Sequence, residues 1–138
     1  MTQANETGRI LFIDDSELIL TSVATRLRAE GFEVVTTTQT VGMARHLRSC
    51  DLVILDFHMP GIDGAEVLSS LKAAAAESGA RCRFYLYTSD RDVAKKYASL
   101  GFDGALMNKG DLDALVQQVR TVFRMIRIRG LPERRGAT

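Results

Sequence analysis

Five short apolar runs alternate along this chain with stretches whose apolar residues recur at helical spacing, and no other feature restricts the fold as much. The runs fall at 9–14, 33–37, 52–56, 83–88 and 105–107. The first helix is expected after Ser16 as N-cap, with Leu18, Ile19, Val23 and Leu27 on one side, ending at Gly31. The second is expected near 41–48, the third from 65 to about 76 with Ser78-Gly79 ending it, and the fourth from Asp90 to Gly101. The fifth begins after Gly110-Asp111 and puts Leu112, Leu115, Val116, Val119, Phe123 and Ile126 on one stripe. Strand followed by helix, repeated in this way, makes a parallel sheet with helices on both faces. The runs "ILFI" and "LVIL" are apolar without alternation, as strands covered on both sides must be.

Both of those central runs end on acid. Asp14 and Asp15 follow Ile13, and Asp56 follows Leu55. In an open α/β sheet, ligands bind beyond the carboxyl ends of the strands, so these three carboxylates are expected to gather at one edge. Crowded carboxylates repel, lose solvation and raise one another's pKa, which calls for a positive partner. Oxygen donors without a Cys or His cluster suit a hard cation, and Mg2+ is the usual companion of carboxylates and phosphate oxygens. Beside such an ion an aspartate can attack phosphorus, and the protein then needs to supply little beyond position and charge neutralisation. Thr88 at the end of the fourth run and Lys109 after the fifth fall at the same edge and complete the cradle.

The 138 residues, 46% hydrophobic and 25% charged, are enough for one domain that buries its core without metals or disulfides. No apolar run reaches the length of a membrane span, and the opening "MTQANETGR" lacks a signal-peptide core, so a cytoplasmic protein without membrane contact is expected. Cys50 and Cys82 fit that compartment as thiols, a link between them being the minority reading. The net charge of +1 divides unevenly: residues 1–119 carry 12 basic and 16 acidic side chains (−4), residues 120–138 carry 6 and 1 (+5). Arg120, Arg124 and Arg127 suit the negative end of a helix, and no recognition helix, zinc spacing or aromatic-basic interleaving accompanies them. Nucleic acid is therefore not expected as a partner.

The segments "ILFIDDSELIL", "DLVILDFHMPGIDGAEVL" and "YLYTSD", with the lysine that follows, resemble the receiver domain of two-component response regulators over about residues 9 to 127. The resemblance implies a flavodoxin-like, doubly wound sheet of five parallel strands, order 2-1-3-4-5, with five helices. It implies that Asp56 accepts a phosphoryl group from a histidine kinase or phosphotransfer protein, or from a small phosphodonor. Asp15 would bind Mg2+ directly, Asp14 largely through water, and the His58 carbonyl as a further ligand beside Asp56. Thr88 would contact a phosphoryl oxygen and Lys109 would hold the phosphoryl group, while Gly61 and Gly64 serve the loop and the start of the third helix. Such a domain catalyses only its own phosphorylation and dephosphorylation, and signals to a downstream protein target. The expected organisation is a disordered segment at 1–8, the receiver at 9–128 and a basic flexible tail at 129–138. No output domain is expected beyond residue 130, so the sequence reads as a stand-alone receiver or as a piece of a larger regulator. The face made by the fourth helix, fifth strand and fifth helix leaves room for a homodimer.

The fifth run departs from the family pattern. Counted without gaps from Gly101, Asn108 stands where the lysine belongs and Ala105 where an aromatic belongs. Aligned on Lys109, the strand needs one extra residue as a bulge, and Leu106 takes the aromatic position. Both alignments stay open, and neither supplies the aromatic or the usual proline. The fourth helix is also short for the family. These departures favour an alternative, a phosphorylation-independent pseudo-receiver acting as a protein-binding module. A phosphatase turning over external substrates is weaker, since His58 stands where such enzymes place a second acid. Asp90 reads as an N-cap, His46 as surface helix, and Thr36 to Thr38 as strand end and loop.

Overall fold

A computed structural model describes residues 8–39, 44–57, 61 and 63–136. The elements alternate as expected: β1 (Arg9–Ile13), α1 (Glu17–Ala29), β2 (Glu33–Thr37), α2 (Ala44–Leu47), β3 (Leu52–Asp56), α3 (Gly64–Ser78), β4 (Arg83–Tyr87), α4 (Arg91–Lys95), β5 (Gly104–Leu106) and α5 (Leu112–Gly136). The strands form one sheet in the order β2-β1-β3-β4-β5, and every neighbouring pair is parallel. The flavodoxin-like order read from the sequence is therefore the observed one. Asp14 and Thr88 lie one residue past their strands, and Met107 has left β5, so the sheet edge begins slightly earlier than the apolar runs suggested.

Period-2 alternation explains why both faces are apolar. From β1, Ile10 and Phe12 enter one buried cluster with Leu20, Val23 and Leu27 of α1 and Leu115, Val119 and Phe123 of α5. Leu11 and Ile13 enter the opposite cluster with Val67, Leu68 and Leu71 of α3. β3 divides in the same way, Leu52 and Ile54 against Val53 and Leu55. Fully burying one such side chain contributes about 1.5–3 kcal/mol, so the two clusters dominate stability and fix the register of β1 against β3. A polar tie also joins α1 to α5: Glu30 accepts from Arg26 at 3.1 Å and from Arg120 at 2.6 Å.

Helix ends follow local chemistry. Ser16 Oγ accepts from the Ile19 N–H at 3.2 Å, and Asp63 Oδ1 from those of Ala65 and Glu66. Gly79 closes α3 in the left-handed region at φ +75°, where a glycine avoids the cost of a Cβ. Asp90 caps α4 by accepting from the Asp92 and Val93 N–H groups. That helix corrects the sequence reading, because it ends at Lys95 and the chain reaches Gly101 through turns. Ala94 is its one buried residue, and three-residue bonds follow it, from Lys96 to Val93 and from Tyr97 to Ala94. With so little apolar surface to bury, a longer α-helix has no anchor. The start of the expected second helix lies outside the described residues. α5 is continuous to Gly136, through most of the segment read as a tail.

Candidate functional site

The two acidic strand ends meet. Asp14 and Asp56 are each 1% exposed, while Asp15 beside them faces solvent. One carboxylate oxygen from each of Asp14, Asp15 and Asp56 lies within 4.8 Å of the others. The pairing of β1 with β3, Ile13 opposite Leu55, aligns the two strand ends and brings the acids together. Asp56 lies opposite Tyr87 on β4, so Thr88, fully buried, stands one step beyond it at the same edge. Thr88 Oγ1 accepts from the Asp90 N–H at 3.0 Å, which orients the hydroxyl at the start of α4.

Lys109 supplies the positive partner. Its Nζ is 2.7 Å from Asp56 Oδ1 and 3.8 Å from Asp14 Oδ2. The choice left open by the sequence is thereby answered: Lys109, and not Asn108, enters the acidic cluster. The expected bulge is absent, since β5 pairs with β4 without interruption from Gly104 to Leu106. The additional residue is taken up after the strand, where Asn108 adopts φ +60°. Asparagine tolerates this left-handed conformation better than most residues do. Ala105 and Leu106 occupy β5, so neither candidate position carries an aromatic.

Asp14 is the strained member. Its Oδ1 accepts from the Ser16 N–H at 3.0 Å, but its buried Oδ2 has no hydrogen-bond partner and only the ammonium 3.8 Å away. Burial is the first cause that lifts its pKa from 3.8 to about 6, with the Asp56 charge adding and the Ser16 N–H and Lys109 opposing. A buried carboxylate oxygen without a donor, among three acids on rigid strand ends, fits a hard divalent cation. The donor set is oxygen only, so the residues present suit Mg2+. His58, expected to contribute its carbonyl, lies outside the described residues. Gly61 has φ +75°, and a Cβ on Gly64 would stand 2.9 Å from the Phe57 ring, so both glycines answer local needs of the loop and of the α3 start.

Three further residues near the site escaped the sequence reading. Tyr87 Oη accepts from the Gly110 N–H at 3.3 Å, Gln118 pairs with both main-chain groups of Met107, and Ser89 Oγ donates to the Lys109 carbonyl at 3.4 Å. The available signals were a tyrosine on a strand buried on both faces, whose hydroxyl needs a partner, and a glutamine bordering the apolar stripe of α5.

The fold and the acidic edge define a class, the doubly wound α/β domains with an oxygen-donor cradle at the strand ends. The chain belongs to the response regulator receiver domain family, whose pattern it matches over residues 10–120. It is 31% identical over 137 residues to the transcriptional regulatory protein PrrA of Mycobacterium bovis, covering 94% of this chain and 52% of that protein. It is 30% identical over 118 residues to the virulence sensor protein BvgS of Bordetella bronchiseptica, covering 80% of this chain and 10% of that protein. The chain thus spans about half the length of PrrA and a small part of BvgS. Among solved structures, the chemotaxis response regulator CheY4 of Vibrio cholerae superposes with a TM-score of 0.67 at 21% identity, covering 84% of this chain and 98% of that one. A receiver domain protein from Clostridium thermocellum gives 0.70 at 22% identity, covering 88% and 98%. At these identities the structural likeness speaks for the fold.

Proposed function

We propose that Asp56 accepts a phosphoryl group from a phosphohistidine on a kinase or phosphotransfer protein, or from a small phosphodonor, and that the chain signals through phosphorylation-dependent contact with a downstream protein. The observation that carries this reading is the ion pair of Lys109 with Asp56 beside the orphaned Asp14 oxygen. An Asp56 oxygen forms the new bond to phosphorus while the bond from phosphorus to the donor nitrogen or oxygen breaks, the electron pair leaving with the donor. Mg2+, held by Asp14, Asp15 and Asp56 with the His58 carbonyl, would neutralise charge on the phosphoryl oxygens. The Lys109 ammonium and the Thr88 hydroxyl take up the remaining negative charge, a role that needs fixed donors in a partly dry site. As the acceptor is consumed and regenerated on the protein itself, the chain acts as a switch and not as an enzyme on external substrates.

A protein donor needs a surface beside Asp56. A groove of about 460 Å³ reaches Lys109, the ion-pair partner of Asp56; Leu18, Ile19, Val23 and Leu112 also line it, and Leu18 is 77% exposed. This groove suits an apolar helix face that carries the phosphohistidine. The described residues include no helix long and apolar enough to cross a membrane, in keeping with a cytoplasmic site of action. The face of α4, β5 and α5 is the surface proposed for output and for a homodimer, tested by sedimentation with and without phosphorylation.

Intact-mass spectrometry after incubation with Mg2+ and acetyl phosphate tests the reading. One phosphoryl adduct is expected, absent without Mg2+ and in Asp56→Asn. No adduct on wild type, together with no beryllofluoride complex, would favour the phosphorylation-independent binding module, for which the short α4 and the absent β5 aromatic speak.

A further inference from the structure

Lys109 hangs on very little sheet. β5 has three residues, and its pairing with β4 ends at Tyr87 opposite Leu106 and the Thr88 N–H bond to the Leu106 carbonyl. From there to Leu112 the chain crosses a loop with two left-handed residues, Asn108 at φ +60° and Gly110 at φ +101°. A non-glycine residue held at positive φ costs about 1 kcal/mol, so the loop would relax unless other contacts held it. Besides the Asp111 N–H bond to the Asn108 carbonyl at 2.9 Å and the Ser89 Oγ bond to the Lys109 carbonyl at 3.4 Å, two side chains do so from either side of the Asn108-Lys109 pair. Gln118 Oε1 accepts from the Met107 N–H at 2.8 Å, and its Nε2 donates to the Met107 carbonyl at 2.9 Å. The Gly110 N–H donates to Tyr87 Oη at 3.3 Å. The tyrosine is a fixed point: it is 1% exposed and its ring meets Phe12 edge-on, centroids 5.9 Å apart at 62°.

We infer that Tyr87 and Gln118 are positioning residues for phosphoryl transfer, a clamp that fixes the loop so that the Lys109 ammonium rests on Asp56. The inference rests on the reading of Asp56 as acceptor. Lys109 has a long, flexible stem, and an ammonium contributes to charge neutralisation only where it is already in place when charge develops. β5 is too short to fix the backbone from which that stem starts. The clamp does this from β4 on one side and from α5 on the other, so the cation belongs to the site although its own strand has ended.

The test measures phosphorylation by acetyl phosphate under saturating Mg2+ in wild type, Tyr87→Phe, Lys109→Ala and the double variant, with Gln118→Met as a second probe should Tyr87→Phe fail to fold. Tyr87→Phe is expected to slow the transfer step about threefold to tenfold with little change in the donor KM. In the Lys109→Ala background the same change should have no further effect, because the residue acts through the lysine. Equal slowing with and without Lys109, or none in either, would overturn the inference. A second readout does not depend on phosphorylation: the Lys109 Nζ resonance in NMR of 15N-lysine-labelled protein, assigned by its loss in Lys109→Ala and its shift in Asp56→Asn. Tyr87→Phe or Gln118→Met should move that resonance toward its Asp56→Asn position, and an unmoved resonance refutes the clamp. If wild type takes no phosphoryl group while the resonance responds as expected, the acceptor reading fails and the clamp stands.

Discussion

Replacing Asp14 by asparagine should stabilise the metal-free protein at neutral pH and leave it nearly unchanged in acid. The buried carboxyl has its pKa raised from 3.8 to about 6, chiefly by loss of solvation. A group whose folded-state value exceeds its unfolded value favours folding while protonated. That contribution is whole below about pH 4 and is lost as pH rises through about 6. Converted in full such a rise sets an upper limit of about 3 kcal/mol at pH 8, which solvent screening reduces, falling below about 1 kcal/mol at pH 4. Asparagine keeps the acceptor used by the Ser16 N–H at 3.0 Å and removes the charge, so the variant mimics the protonated acid. Urea unfolding of both proteins across pH 4 to 8 in chelator isolates the effect, because groups such as Glu30, whose pKa is lowered by its bonds to Arg120 and Arg26, contribute equally to each. Mg2+ should then narrow that gap. An ion at a hundred times its Kd adds about 2.7 kcal/mol to wild type, and much less where one carboxylate is missing. A stability difference that does not grow with pH in chelator would refute burial of Asp14 as the source of its strain.

Lys109→Ala should slow phosphorylation of Asp56 about a hundredfold, an amount typical of removing one fixed donor. It should also tighten Mg2+ binding, because the ammonium 2.7 Å from Asp56 competes for the same charge; a metal titration that weakens instead would sink that account. Leu18→Glu places a charge in the groove beside Lys109 and should suppress transfer from a phosphohistidine donor while leaving acetyl phosphate as effective as before; equal loss with both donors would refute docking there. Asp90→Ala removes the cap of α4 and should cost about 1 kcal/mol in unfolding experiments. A loss of phosphorylation out of proportion to that cost would show a chemical role for Asp90.

The parts of the site that were readable in the sequence are those whose chemistry is local. Asp14, Asp15 and Asp56 follow apolar strands directly, and a parallel sheet must bring such strand ends to one edge whatever the loops do. The caps at Ser16 and Asp90 act over two or three residues and were equally plain, Asp90 serving as the cap it was read to be. α4 was overestimated because its apolar residues have helical spacing but only Ala94 is fully buried, with Val93 half-buried against the core. Tertiary burial, and not the pattern, decides the length of such a helix.

Lys109 shows why spacing alone could not settle the rest. In a strand of three residues, period-2 alternation spans too few positions to fix a register, and counting back from a motif is then ambiguous by one residue. The ambiguity is removed by contacts that are distant in sequence: Tyr87 reaches a main-chain N–H 23 residues on, and Gln118 one 11 residues back. Tyr87 has no assigned role within the segment "YLYTSD" and Gln118 stands outside every quoted segment, so each reads in isolation as a core aromatic or a polar helix position. They acquire meaning only once β4, the loop and α5 are adjacent. With the loop gripped at Met107 and at Gly110, the turn at Asn108 has a single residue in which to absorb the extra length. The side chain that follows it is then the one delivered to Asp56. The lysine's place is therefore a property of the grip on its loop, and substitutions in the clamp should move the cation without touching any acid of the site.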